Sequence, residues 1–321
     1  MKVTIVTLMP SFLDNIKATL KAKGHEVRVF HPSGDSGKDI WKLSEDCNWA
    51  DLIFCEFCQY PMDMVTNIVK NKPIIARMHR IEVYNPDFIK KVNWGNVSLL
   101  LITTNSIKEK FEKICSGRIL PQNIHVYSRP CVDITKFKYV KRAFGDSVKL
   151  VIVGNVIPRK RAFDALQLLY DLPTNYGISI VGDLKDQEYF SNMQDYANKA
   201  GLNDRISILR KINHDVLPEL FGDHDIVLGM STEETAHYSI AEGMATGCFP
   251  VMSYWRDCEN MYPKYAVHKG FVSLITKLND WGRLPKEEKE RLSLDSRDWA
   301  ERNFDSKFES ELILEVIGKL S

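Results

Sequence analysis

Short apolar runs alternate with helix-patterned segments along the whole chain, and few folds accept such a sequence. In the first half the runs are VTIVTL (3–8), EVRVF (26–30), DLIFCEF (51–57), PIIARM (73–78), SLLLITT (98–104) and NIHVYS (123–128). Between the first two, Phe12, Leu13, Ile16 and Leu20 fall on one helical face that closes at Gly24. From 129 to 147 the pattern gives way to a polar, basic and irregular stretch. It then restarts with VKLVIVG (148–154), ISIVG (178–182), ISIL (206–209), DIVLGM (225–230) and PVMSY (250–254). The expected architecture is α/β, two Rossmann-like parallel-sheet domains facing a cleft. The first covers 1–138, a linker 139–147, and the second 148–300. A C-terminal helix at 301–321 carries Phe308, Leu312, Ile313, Val316, Ile317 and Leu320 as an apolar stripe. Such a stripe must pack on something, and the first domain is one candidate.

The bulk numbers narrow the class. A chain of 321 residues with 44% hydrophobic content can build two ordinary cores. It has no uninterrupted apolar run of 18 residues, and its start, MKVTIVTLMPSF, is too short and strand-like for a signal peptide. A net charge of +1 argues against a dedicated nucleic-acid binder. Seven cysteines without scaffold spacing suit reduced thiols, so a cytoplasmic location is expected.

Two stretches carry chemistry. In VKLVIVGNVIPRKRAFDALQLL, Gly154 ends a strand, and Arg159, Lys160 and Arg161 gather at a helix start. A helix N-terminus attracts anions through its unpaired N–H groups and dipole, and added cations suit a diphosphate. Solvated basic residues are an equally ready account of that stretch alone. In STEETAHYSIAEGMATGCFPV, Glu234 and Glu242 lie eight positions apart. On one helix they would be ~12 Å apart along the axis, and on one strand ~26 Å apart. They meet at one small ligand only if Glu234 lies in a loop and Glu242 near the start of the next helix. Cations at one strand end and carboxylates at another, on one parallel sheet, describe a nucleotide-sugar site.

With those residues in place, the second half resembles the retaining GT-B glycosyltransferases of the GT4 type. The resemblance rests on Glu234, Glu242, AEGMATG and FPV, on GNVIPRKR before them, and on KPIIARMHR and NIHVYSRPCVDITKF in the first half. It implies a polysaccharide-building transferase that uses a UDP- or GDP-linked sugar and a glycan or lipid-linked acceptor, with no metal and no cofactor. It further implies that Glu234 contacts the donor sugar, Glu242 the ribose, Lys160 the diphosphate, and that His79 lies across the cleft near the transferred sugar or its phosphate, with His79, Lys160 and Glu234 as the catalytic residues. Asn155, Arg159, Thr235, Ala236, His237, Tyr238 and Ser239 complete the implied donor site. The chain departs from the family at Asn155, where an arginine is usual, and at Thr235-Ala236-His237, where Gly-Phe-Gly is usual. The loop LMPSFLDN lacks the paired glycines, and GDL at 182–184 stands in place of G-x-G.

Other signals are weaker. Asp223-His224-Asp225 spells a metal motif but directly precedes a strand. Cys55 and Cys58 form C-x-x-C without the second pair that a structural zinc needs. Lys108, Lys110 and Lys113 read as a solvated helix face, with peripheral contact at the inner face of a membrane as the alternative. A dehydrogenase is excluded by the absence of G-x-G-x-x-G after an early strand. Two rivals to a transferase stay open. One is a catalytically inactive GT-B subunit that scaffolds a glycosyltransferase complex; the other is a nucleotide-sugar epimerase.

Overall fold

The computed structural model describes residues 1–9, 13–127 and 129–320, so Phe12 and part of the LMPSFLDN loop lie outside the described residues. The chain divides into two compact units, Met1–Ser128 with Lys307–Ser321, and Arg129–Ser306.

In the first unit the strands are β1 (Lys2–Thr7), β2 (Glu26–Phe30), β3 (Leu52–Glu56), β4 (Ile74–Met78), β5 (Leu99–Ile102) and β6 (Ile124–Val126). They form one parallel sheet in the order β2-β1-β3-β4-β5-β6. The inner strands read as apolar runs because both faces are covered. Ile53, Ile74, Leu100 and Ile102 enter one apolar layer, and Ile5, Phe54, Ile75 and Leu101 the other. Helices α1 (Asp14–Ala22), α2 (Ser36–Trp49), α3 (Met62–Ile68), α4 (Arg80–Tyr84) and α5 (Asn105–Ile114) connect them. Thr104 starts α5 by accepting the Ile107 amide at 3.2 Å, as an N-cap threonine does. In α5, Ile107 and Phe111 are buried, while Lys110 stands over the Tyr84 ring at 3.8 Å.

The second unit contains β7 (Val148–Val153), β8 (Tyr176–Val181), β9 (Ile206–Leu209), β10 (Ile226–Gly229), β11 (Phe249–Ser253) and β12 (Val267–His268). Its parallel sheet has the order β12-β11-β10-β7-β8-β9. Counted within the unit this is 3-2-1-4-5-6, the doubly wound order, and its direction reverses between β7 and β10. Helices α6 (Ala162–Asp171), α7 (Gln187–Lys199), α8 (Leu217–Gly222), α9 (Tyr238–Thr246), α10 (Phe271–Gly282) and α11 (Lys286–Asn303) complete the unit. The two-residue β12 had no apolar run long enough to announce it.

The segment 139–147, expected as a linker, lies within the second unit. Arg142 is only 6% exposed and donates to the carbonyls of His224 (2.7 Å), Phe221 (2.9 Å), Thr246 (2.8 Å) and Val140 (2.9 Å). Two of those carbonyls, of Phe221 and Thr246, belong to the last turns of α8 and α9, and that of His224 follows just after α8. Helix ends leave such oxygens unpaired and partly negative, so they hold a buried guanidinium without a carboxylate. Polar composition concealed the packing.

The last helix, α12 (Lys307–Leu320), returns to the first unit. It buries Ile313, Val316 and Ile317 in the layer that holds Leu13, Ile16 and Leu20. Each such side chain contributes about 1.5–3 kcal/mol through its burial. Hydrogen bonds from Asn15 Nδ2 to Glu309 (2.7 Å) and between Thr19 and Ser310 (2.7 Å) fix the register of α1 against α12.

Candidate functional site

The reversal of strand order makes the C-terminal ends of β7 and β10 the natural ligand edge of the second sheet. At the end of β7, Gly154 has φ +149°, a conformation few side chains tolerate. A Cβ there would lie 3.5 Å from Lys160 Cε and 3.6 Å from its Nζ, so the lysine runs alongside the bare backbone. Gly182, at the end of β8, is needed more strictly, since its Cβ would fall 1.8 Å from the Gly154 carbonyl oxygen. The G of GDL thus serves backbone packing.

The loop after β7 is tied to the loop after β10. The Thr232 amide donates to the Arg159 carbonyl at 3.1 Å, and Arg159 donates back to the Glu233 carbonyl (2.6 Å) and Glu234 Oε1 (2.9 Å). Lys160 Nζ donates to the same Oε1. Glu234 is 11% exposed in its side chain, and one of its carboxylate oxygens gathers two half-buried cations. Burial pushes the Glu234 carboxyl up, but His237, Lys160 and Arg159 bring it down to about 2. His237 is itself held at about 3, by burial first and then by the Lys160 ammonium. Near neutral pH the imidazole is uncharged, and Lys160 and Arg159 are what hold the carboxylate.

His237 is buried at the start of α9. Its ring approaches the Ser239 (3.2 Å) and Ser231 (3.4 Å) hydroxyls, and its carbonyl accepts from Tyr262 (3.0 Å). Thr235 is half-buried, Ala236 buried and Tyr238 exposed. Arg161 differs from its neighbours: it turns to Asp164, bonding Oδ2 through Nε at 2.5 Å. Two of the three clustered cations therefore reach Glu234. Asn155 is half-buried, and no hydrogen bond of its side chain is found among the described residues.

Glu242 is the fifth residue of α9 and is buried. Its Oε1 contacts His214 Nε2 at 2.8 Å, while Lys136 Nζ stands 2.9 Å from His214 Nδ1 and 2.6 Å from Asp215 Oδ1. Neither His214 nor Lys136 was singled out from the sequence, because no spacing links positions 136, 214 and 242.

His79 lies in the first unit, at the end of β4. Its Nε2 meets Glu56 Oε1 at 2.5 Å, and its ring stacks on Phe57 with centroids 4.2 Å apart. Glu82 accepts the amides of His79 and Cys58, each at 3.0 Å, so β3 and β4 are joined at their C-terminal ends. Burial raises the Glu82 carboxyl to about 7. Beneath His79, the buried Arg77 bonds Glu56 Oε2 (2.6 Å) and Glu309 Oε1. Burial raises Glu56, but Arg77 and His79 outweigh it and leave the carboxyl below its usual range. Cys55 and Cys58 are buried, and burial raises both thiols above their ordinary range. Asp225 Oδ2 accepts the Lys149 amide at 2.8 Å, which gives it a structural task. Among the described residues no group of three or more His, Cys, Asp or Glu side chains is placed to hold a metal. No described helix is long and apolar enough to cross a membrane.

Residues 133–269 match the family model of Glycosyl transferases group 1, so the second unit carries a glycosyltransferase domain. No curated protein matches the sequence. Among solved structures, the Anabaena protein HepE, in complex with UDP and glucose, superposes with a TM-score of 0.76 at 17% identity over 100% of both chains. Sucrose-phosphate synthase from Thermosynechococcus elongatus gives 0.77 at 12% identity, covering 100% of this chain and 99% of that one. A glycosyltransferase from Rickettsia africae gives 0.76 at 14% identity, covering 99% and 98%. At these identities the likeness is one of fold, and that fold is GT-B.

Proposed function

We propose that this protein is a retaining, metal-independent glycosyltransferase that moves a sugar from a nucleoside diphosphate to a hydroxyl of a glycan or lipid-linked acceptor. The observation that carries the reading is the convergence of Lys160 and Arg159 on Glu234 at the β7–β10 reversal, beside the start of α9. Cations at that point suit the diphosphate, and the buried carboxylate Glu242 suits the ribose hydroxyls. UDP is the leading donor nucleotide, because HepE was solved with UDP and with UDP-glucose; GDP is the second choice.

In the proposed reaction the C1–O bond to the diphosphate breaks and the acceptor oxygen bonds C1 on the same face. The acceptor proton passes to the departing phosphate oxygen. Lys160 and Arg159 neutralise the charge that grows on that phosphate, which is where fixed cations lower a barrier most. Glu234 orients the sugar, and the start of α9, with Thr235, Ala236, His237, Tyr238 and Ser239, adds N–H donors. Asn155, where the family has an arginine, leaves Arg159 as the second cation. His79, bonded to Glu56 in the first unit, is assigned to the transferred sugar or its phosphate by the resemblance alone. With a lipid-linked acceptor, this reading places the protein in the cytoplasm, at the inner face of the membrane.

Thermal shift and calorimetric titration against UDP, GDP, ADP and their sugar conjugates test the reading, followed by product analysis with and without an acceptor. Binding of one nucleoside diphosphate that is lost in Glu242→Ala, with transfer only when acceptor is present, is the expected result. Sugar conversion without acceptor would point to an epimerase. Binding without any turnover would point to an inactive subunit.

A further inference from the structure

Outside the phosphate-side cluster, the described residues contain one chain of polar side chains that ends on a carboxylate of the proposed donor site. Lys136 lies in the segment that enters the second unit, His214 in the turn after β9, and Glu242 on α9. The three are linked by contacts of 2.9 and 2.8 Å.

The chain has a fixed direction. A lysine ammonium only donates, so His214 Nδ1 is an acceptor and the ring proton sits on Nε2, donated to Glu242 Oε1. Lys136 is held in turn by Asp215 at 2.6 Å. The imidazole packs edge-on against Phe137, with centroids 5.4 Å apart. Asn213 caps the turn by accepting the Asp215 amide at 3.1 Å. Two residues on either side of the imidazole therefore fix both its plane and its tautomer. Among the described residues no other hydrogen bond to Glu242 is found, which leaves Oε2 for a ligand.

We infer that His214 is a positioning residue for the nucleotide: with Lys136 behind it, it holds the Glu242 carboxylate in the orientation that receives the ribose hydroxyls. The inference rests on the donor-site reading above. A bland alternative exists, since His214 is 56% exposed in its side chain and a surface contact of that kind contributes little to folding. The two accounts differ in what they move. A surface contact affects neither ligand affinity nor turnover. A carboxylate ordered in advance spares the ligand the cost of ordering it, which corresponds to roughly a 2- to 12-fold difference in affinity.

The test titrates UDP by calorimetry into the wild-type protein and into Glu242→Ala, His214→Ala and His214→Gln, with circular dichroism melts as the folding control. Gln keeps an N–H donor at nearly the reach of Nε2, whereas Ala removes it. The expected result is binding by wild type, none by Glu242→Ala, roughly tenfold weaker binding by His214→Ala, and recovery to within about threefold by His214→Gln. In turnover assays the His214→Ala loss should fall on KM for the donor, with kcat within about twofold. If Glu242→Ala abolishes binding but His214→Ala matches wild type, or His214→Gln fails to recover, the inference is overturned and the donor site stands. If wild-type protein binds neither UDP nor GDP nor ADP, both readings are overturned together.

Discussion

Replacing Glu234 by glutamine should strengthen binding of a bare nucleoside diphosphate while it weakens catalysis. The amide keeps the size of the carboxyl but not its charge, and the charge is what holds Lys160 and Arg159. A carboxyl held at about 2 instead of 4.5 corresponds to roughly 3 kcal/mol in favour of the charged form. Part of that depression needs a protonated His237, which exists only near pH 3 and below. The share left to the two cations at neutral pH is therefore smaller than that total. A diphosphate competes with Glu234 for the same ammonium and guanidinium. If it recovers 1–2 kcal/mol of that interaction, UDP binds about 5- to 30-fold more tightly to Glu234→Gln than to wild type. The same variant loses a charged contact to the sugar, at about 1.5–3 kcal/mol, so kcat with the sugar nucleotide falls about 10- to 150-fold. Calorimetry with UDP at pH 7 and steady-state kinetics read the two effects separately. The gain should shrink in high salt, where the cations are screened. Unchanged or weaker UDP binding in Glu234→Gln refutes the reasoning, because Glu234 would then not compete with phosphate for these cations.

Two further outcomes concern stability. Arg142→Leu removes the guanidinium that bridges four carbonyls, of which those of Phe221, Thr246 and His224 keep one other donor each or more, and a loss of about 2–3 kcal/mol is expected in urea unfolding; Arg142→Lys, with one compact donor head, should recover only part of it. A loss below about 1 kcal/mol would show that water replaces the guanidinium there. Glu82, raised to about 7 in the folded chain against 4.5, binds a proton that the unfolded chain releases between those values. Its contribution is complete below 4.5 and fades as pH rises through 7, by up to roughly 3 kcal/mol. Unfolding midpoints at pH 5 and pH 7.5 should differ less in Glu82→Gln than in wild type, and parallel behaviour would contradict this.

The strand runs were legible from apolar content because burial on both faces of a parallel sheet leaves that mark. Lys160, Arg159 and Glu234 were legible as chemistry, since cations and carboxylates at successive strand ends have few structural uses. That the three engage one another was not, because it depends on the 3-2-1-4-5-6 order that brings β7 beside β10. Arg161 shows the limit of counting charges: one backbone rotation to φ 54° sends it to Asp164. Segment 139–147 is packed by one arginine among carbonyl oxygens, and a polar fixture of that kind has no periodicity to detect.

The return of α12 to the first unit also sets an order of events during synthesis. Residues 129–306 must be made before the helix that covers α1 exists. At a ribosomal pace of ~5–20 residues per second, that is a delay on the order of 10–40 s. Through that interval Leu13, Ile16 and Leu20 lack the cover of Ile313, Val316 and Ile317, and Arg77 has Glu56 without Glu309. The second unit is contiguous in sequence and can close first. The unit begun first is finished last, and the apolar face of α1 is the part of its core left uncovered longest.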